Sequence, residues 1–153
     1  MIRIRFDTPD FKYRQLESGE EIFDPFRKKW VKLTPEEWVR QNLLRYLRER
    51  MLYPASMIAV ERLVTVDELK KRFDAVIFDG TGNPWMLVEC KADTENLNNK
   101  VLQQILAYQS KLGAKFLLIS NGIKVFCWEI ANHQIKEINH LPDYPAAGNQ
   151  EKL

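Results

Sequence analysis

The stretch RFDAVIFDGTGNPWMLVECK, residues 72–91, decides the fold. Two apolar runs, 72–79 and 85–91, flank Gly80-Thr81-Gly82-Asn83-Pro84, and such runs around a glycine- and proline-rich connection read as an antiparallel hairpin. Strand alternation puts Trp85, Leu87, Glu89 and Lys91 on one face, and Met86, Val88 and Cys90 on the other. Asp74 shares its face with Arg72 and Val76, and pairing across the turn brings it toward Glu89. Two carboxylates then meet beside an ammonium within apolar strands. Charges so placed are costly unless they are paired or bind a metal. Two readings follow. In one, Lys91 closes an ion pair with Glu89 or Asp74. In the other, Asp74, Glu89 and the main-chain carbonyl of Cys90 are oxygen donors to magnesium or manganese, and Lys91 offsets phosphate charge.

Upstream, Thr34-Pro35-Glu36-Glu37 reads as a helix start, with Thr34 as N-cap and Pro35 at the first helical position. The helix should reach about Met51, burying Val39, Leu43, Leu44 and Leu47 and leaving Arg40, Arg45, Arg48 and Arg50 largely on its other sides. Residues 57–66 form a strand carrying Glu61, and 67–71 a polar link. Downstream, residues 97–112 return to a helical period capped by Gly113, with Val101, Ile105, Tyr108 and Leu112 on one side. Strands over 115–120 and 123–130 flank Asn121-Gly122, and 134–138 adds an edge strand. Residues 1–33 are an N-terminal extension with a hairpin over 21–33, residues 34–140 the main domain, and 141–153 a flexible tail. The order helix, three strands, helix, two strands implies an α/β sandwich on a mixed sheet.

A chain of 153 residues, 45% hydrophobic and 29% charged, suits one globular domain, and a net charge of +2 is too small to identify a partner. Cys90 and Cys127 lie in apolar runs and read as reduced core thiols, which together with the lack of a secretory leader or membrane-length apolar run points to a soluble cytoplasmic protein. Gly80 and Gly82 are followed by no third glycine and no Gly-Lys-Ser/Thr, so the chain encodes no nucleotide cradle and no ATP-driven motor. His133 and His140 read as exposed turn residues, and the four tryptophans chiefly as core. Clusters at Arg27, Lys28, Lys29 and Lys32, and at Lys70, Lys71 and Arg72, are candidate phosphate contacts.

Asp74 followed by Glu89-Cys90-Lys91 resembles the motif of the PD-(D/E)XK nuclease superfamily, with Phe73 where the nominal proline stands. Gln104-Ile105-Leu106-Ala107-Tyr108 is similar to the Gln-x-x-x-Tyr element of its exonuclease and type I restriction members. Residues 33–41, 88–91 and 120–122 together resemble the N-terminal domain of type I restriction enzyme R subunits, a likeness spanning about 22–140. The resemblance implies a restriction-endonuclease-like three-layer α/β/α sandwich with a central mixed sheet. It implies metal binding by Asp74 and Glu89, a catalytic Lys91 and a supporting Gln104. Glu37 or Glu36 would complete the site, although Glu37 reads equally as a capping-box partner; Tyr108 reads as core or as near the substrate backbone, and Glu61 as a secondary candidate. The implied activity is magnesium-dependent DNA endonuclease action in restriction or defence, with DNA, a second copy or other restriction subunits as partners. The alternative is a catalytically inactive module of the same fold that binds nucleic acid or serves assembly.

Overall fold

In a computed structural model that describes residues 1–146, the chain opens with β1 (Tyr13–Leu16), β2 (Gly19–Asp24) and β3 (Lys29–Lys32), which pair as a small antiparallel sheet. The sequence reading found the β2–β3 hairpin but not β1, all four residues of which are exposed and so carry no burial period. Helix α1 (Pro35–Glu49) follows, with the Thr34 hydroxyl accepting from the Glu37 N–H at 3.1 Å and Pro35 opening the first turn. Next come β4 (Ile58–Val66), β5 (Leu69–Phe78), β6 (Pro84–Cys90), α2 (Asn99–Gln109), β7 (Phe116–Ser120), β8 (Val125–Ala131) and β9 (Gln134–Ile138). The expected link over 67–71 is instead a two-residue turn. Val66 pairs with Leu69, and Asp67 takes a left-handed φ of 53° to close it.

The main sheet runs β4-β5-β6-β7-β8-β9, with only the β6–β7 pair parallel, and α2 makes the crossover that a parallel pair requires. Each face has its own apolar cluster. Val39, Leu43, Leu44 and Leu47 of α1 pack with Ala75, Ile77, Met86, Val88 and Leu118; Leu102 and Leu106 of α2 pack with Val76, Leu87, Leu117 and Ile119. The alternation along β6 and β7 therefore separates two cores, and the architecture is the expected three-layer α/β/α sandwich. One departure is Trp85, which joins the α1-side cluster rather than the face of Leu87, next to a register shift between Ile77 and Phe78.

The N-terminal residues are tied into the same core. The Ile2 N–H donates to the Val125 carbonyl at 2.7 Å, and the Ile2 side chain is buried. At the other end, the flexible tail expected after residue 140 gives way to packed chain as far as 146: Leu141 is buried, Tyr53 donates to the Pro142 carbonyl, and Tyr144 donates to the Phe78 carbonyl at 2.7 Å. Tyr144 also sits edge-on to Trp85, so an aromatic contact fastens the segment. The remainder of the expected tail, 147–153, lies outside the described residues. Among the described residues no helix is long and apolar enough to cross a membrane.

The Asn121-Gly122 turn closes the β7–β8 hairpin and abuts α1. Asn121 Oδ1 accepts from the N–H groups of Ile123 and Lys124, while Gly122 has a φ of 87° and a Cβ there would lie 3.1 Å from a methyl of Val39. Gly122→Ala is therefore expected to destabilise the protein by about 1–2 kcal/mol from the left-handed backbone alone, with the Val39 contact adding to it. Denaturant unfolding checks this, and an unchanged midpoint would contradict the packing described.

Candidate active site

The site forms where β4 and β5 break their regular pairing, beside the end of the β5–β6 ladder at Ala75–Val88. Val60 pairs with Ala75 and Arg62 with Phe73, but the Glu61–Asp74 rung between them is missing, and Glu61 has a φ of 52° within its strand. A non-glycine residue in that conformation is strained, and such strain gathers at functional sites. The expected strict alternation of β5 fails here too. Phe73 packs in the α2-side cluster and Ala75 in the α1-side one, so Asp74 sits at the switch rather than simply on the face of Val76. From there Asp74 Oδ2 accepts the Cys90 N–H at 2.6 Å, one residue beyond Glu89, which would face Asp74 if the β5–β6 ladder continued.

Glu89 lies next to Cys90 on β6, with its side chain 10% exposed. Lys91, just beyond the strand, holds its place by donating its N–H to the Ser120 carbonyl at 2.8 Å, and its Nζ stands 3.5 Å from Glu89 Oε1. A second lysine faces the same carboxylate. Lys71 Nζ is 3.2 Å from Glu89 Oε2 and 3.4 Å from Oε1, yet Oε2 is buried without a hydrogen bond. Burial drives the Glu89 carboxyl above its ordinary value; Lys71 and Lys91 oppose that, and the Asp74 charge adds to it.

On the α1 side Arg40 is the hub. This side chain, 9% exposed, bonds Glu37 and places Nη1 3.6 Å from Asp74 Oδ1 and 3.7 Å from Glu61 Oε1. Glu37 is buried and also accepts from Arg27 at 2.5 Å and from Gln41 at 2.8 Å, so its carboxylate is turned inward rather than back toward the helix start. Arg27 is anchored in turn by the fully buried Asp24 and lies 3.4 Å from Glu61. Burial and the neighbouring Arg27 lower Arg40 from its usual value, while Asp74 and Glu61 act against them.

The structure thus brings together Asp74, Glu89 and Lys91, with Glu37 and Glu61 joined to them through Arg40. It does not bring in Gln104, which is exposed on α2 and makes no hydrogen bond to Asp74, Glu89 or Lys91 among the described residues. Tyr108 is neither core nor in contact with the centre. Its exposed hydroxyl clips the start of β5, accepting from the Lys70 N–H and donating to the Lys70 carbonyl. Glu36 is exposed, as are His133 and His140. Sequence reasoning missed Arg40, and it read Arg27 and Lys71 as phosphate contacts where the structure turns them onto Glu37 and Glu89. Arg40 lies three residues after Glu37, a spacing that pairs on a helix, and this was the available signal for it.

The donor chemistry fits a hard divalent ion. Among the described residues no cluster of three or more His, Cys, Asp or Glu side chains is set to hold a metal, and the two carboxylates Asp74 and Glu89 are the available pair. Magnesium is commonly held by one or two carboxylates while keeping several waters, and Glu89 Oε2 is buried with no well-aligned hydrogen bond, its nearest cation being Lys71 Nζ at 3.2 Å. The Cys90 thiol contributes nothing, since burial raises it well above its ordinary value and it faces the α1-side core. Only its main chain lies at the site.

Residues 35–142 match the model of the type I restriction enzyme R protein N terminus (HSDR_N), a span from the first turn of α1 to just past β9 that contains every residue of the centre except Arg27 and Asp24. The chain belongs to this family. The matched segment carries Asp74 on β5, Glu89 on β6 and Lys91 one residue beyond the end of β6. Among curated proteins none matches the chain. Solved structures similar to this R-protein domain include a candidate nuclease of DUF820 from Anabaena variabilis, at 13% identity over 83% of this chain and 80% of that one, with a TM-score of 0.47. Another is DrdV, determined by cryo-EM as a DrdV–DNA complex, at 15% identity over 76% of this chain and 11% of that one, with a TM-score of 0.46.

The electrostatics of Glu89 have a measurable sign. A carboxyl raised above its unfolded value binds more protons when folded, so folding stability falls as pH rises from the ordinary glutamate range through the raised value. Glu89→Gln removes that penalty. Without divalent ions the variant is expected to melt at the wild-type temperature in acid and above it near neutrality, the gap opening as pH rises. Lys71 and Lys91, 28% and 31% exposed, can be hydrated when their partner is neutralised. A variant less stable than wild type at neutral pH would mean that the lysine pairing outweighs burial.

Proposed function

We propose that this domain is a magnesium-dependent DNA endonuclease, serving restriction or defence against foreign DNA. The observation that carries the reading is the convergence of Asp74, Glu89 and Lys91 at a break in strand pairing, in a chain whose family is the N terminus of type I restriction R proteins. A divalent ion held there supplies polarisation of the scissile phosphate and a more acidic attacking water. Asp74 and Glu89 would hold the ion, helped by the main-chain carbonyl of Cys90. The Cys90 N–H fixes one Asp74 oxygen, and Arg40 stands on the other side, so the carboxylate is oriented before any ligand arrives. Lys91 would meet the charge that develops on the phosphate, and Lys71, on the opposite flank of Glu89, would add a second positive group near the backbone. Glu37 acts at one remove, keeping Arg40 in place. Gln104, exposed on α2, would reach the substrate only outside the carboxylate cluster.

The test is plasmid nicking in magnesium or manganese by wild type and Lys91→Ala. The reading expects metal-dependent nicking that falls by about 10²–10³-fold when Lys91 is lost, the scale of removing one charge-stabilising group. DNA binding with no cleavage dependent on Lys91 would leave a non-catalytic binding module instead.

A further inference from the structure

Lys71 pairs with Val64 in the β4–β5 ladder, and residues directly opposite share a face, so its side chain points to the α2 side of the sheet, where Val64 is buried. The stem passes Phe73, with Nζ 5.2 Å from the ring centroid, and ends on Glu89, 3.2 Å from Oε2 and 3.4 Å from Oε1. The ammonium thus lies across both oxygens of the carboxylate, whereas Lys91 approaches Oε1 at 3.5 Å from just beyond β6. Apart from Glu89, Lys71 Nζ bonds only the Arg72 carbonyl, at 3.4 Å, among the described residues. Glu89 therefore decides where this ammonium sits. A carboxylate only 10% exposed is unfavourable unless a cation or a metal compensates it, and Lys71 supplies that cation from within the chain.

We propose that Lys71 is an exchangeable counter-ion: its ammonium holds the place of the divalent ion on Glu89 and leaves when the ion binds, which makes Lys71 the residue that sets how tightly the centre takes metal. This rests on the reading of Asp74 and Glu89 as the carboxylates that hold the ion. Magnesium bonds its oxygens at about 2.0–2.1 Å, so ion and ammonium compete for the same lone pairs and repel each other in a partly buried setting. Lys71 can yield. It is 28% exposed, and a compact charge on a flexible four-carbon stem can swing into water. An arginine in its place would grip both oxygens as a fork and give them up less readily.

Calorimetric titration of the full chain with magnesium and with manganese at about pH 8, which keeps the carboxylates ionised, tests it. Lys71→Met should bind either ion at least about tenfold more tightly than wild type, since a unit charge within contact distance is removed. Lys71→Arg should bind at least about threefold more weakly. Lys70→Met removes the same charge from the next position, on the opposite face of the strand, and should stay within about twofold of wild type because exposed charges are screened. A given magnesium concentration should also raise the melting temperature of Lys71→Met more than that of wild type. Lys71→Gln takes the place of Lys71→Met if that variant does not fold. Ion binding that is unchanged or weaker in the folded Lys71 variant, or equally tightened by Lys70→Met, overturns the counter-ion role and leaves the metal centre standing. Absence of ion binding by wild type and variants alike overturns both.

Discussion

Asp74→Asn is expected to abolish divalent-ion binding and to lower DNA cleavage by at least about 10³-fold, while the protein remains folded. Both halves follow from the geometry. Asp74 makes one hydrogen bond, accepting the Cys90 N–H, and an asparagine carbonyl can accept it equally well. The side chain is 27% exposed, so the new amide can reach water. What the substitution removes is negative charge, and with it one of the two carboxylates proposed to hold the ion. Polarisation by a metal contributes several kcal/mol to the transition state, and about 1.4 kcal/mol is a factor of ten in rate, so a three-decade loss is a lower bound. A variant that stays folded, with melting lowered only modestly because Arg40 keeps Glu37 and Glu61, and with no calorimetric response to magnesium or manganese, is the expected outcome. Undiminished ion binding by folded Asp74→Asn would move the metal elsewhere.

The largest effect on stability is expected from Arg40→Met. The replacement keeps length and apolar surface but takes the central cation out of the Glu37–Arg40–Asp74–Glu61 cluster. Removing one partner of a buried ion pair costs about 3–5 kcal/mol because the other charge is left uncompensated. Glu37 retains Arg27 and Gln41, and Asp74 is partly exposed, which places the loss near 3 kcal/mol, the lower end of that range. Adding Glu37→Gln should restore part of it, since the stranded carboxylate is then gone. A single-variant loss below about 1 kcal/mol would mean that water already compensates these charges, as it does for exposed pairs.

Much of the fold was legible because local chemistry and global packing agree. Thr34-Pro35 starts α1, Gly113 closes the α2 segment with a φ of 83°, and Asn121-Gly122 turns between β7 and β8, each carrying a signal that needs no tertiary context. Elements without such a signal were harder. Strand β1 buries none of its side chains, and Lys70 and Lys71 made the start of β5 look like a polar link. The expected flexible tail failed at Leu141 and Tyr144, whose partners, among them Trp85 and the Phe78 carbonyl, are more than 50 residues away in sequence. In the candidate site, spacing along one hairpin was enough to bring Asp74 near Glu89 and Lys91. It was not enough for Arg40 or Lys71. A helical stripe says only that Arg40 lies off the main apolar line, and its partners outside its own helix, Glu61 on β4 and Asp74 on β5, are brought to it by the sheet. The break in the β4–β5 ladder has no sequence signal at all, since Glu61 and Asp74 look like ordinary strand residues.

The most direct test of the central claim is the rate at which purified chain nicks supercoiled plasmid as magnesium is raised from zero, with Asp74→Asn prepared and assayed in parallel. Saturable, magnesium-dependent nicking is expected of the wild-type chain, and none above background of the folded variant. Nicking of equal rate by both proteins, or none by a wild-type chain that binds the plasmid, would contradict it.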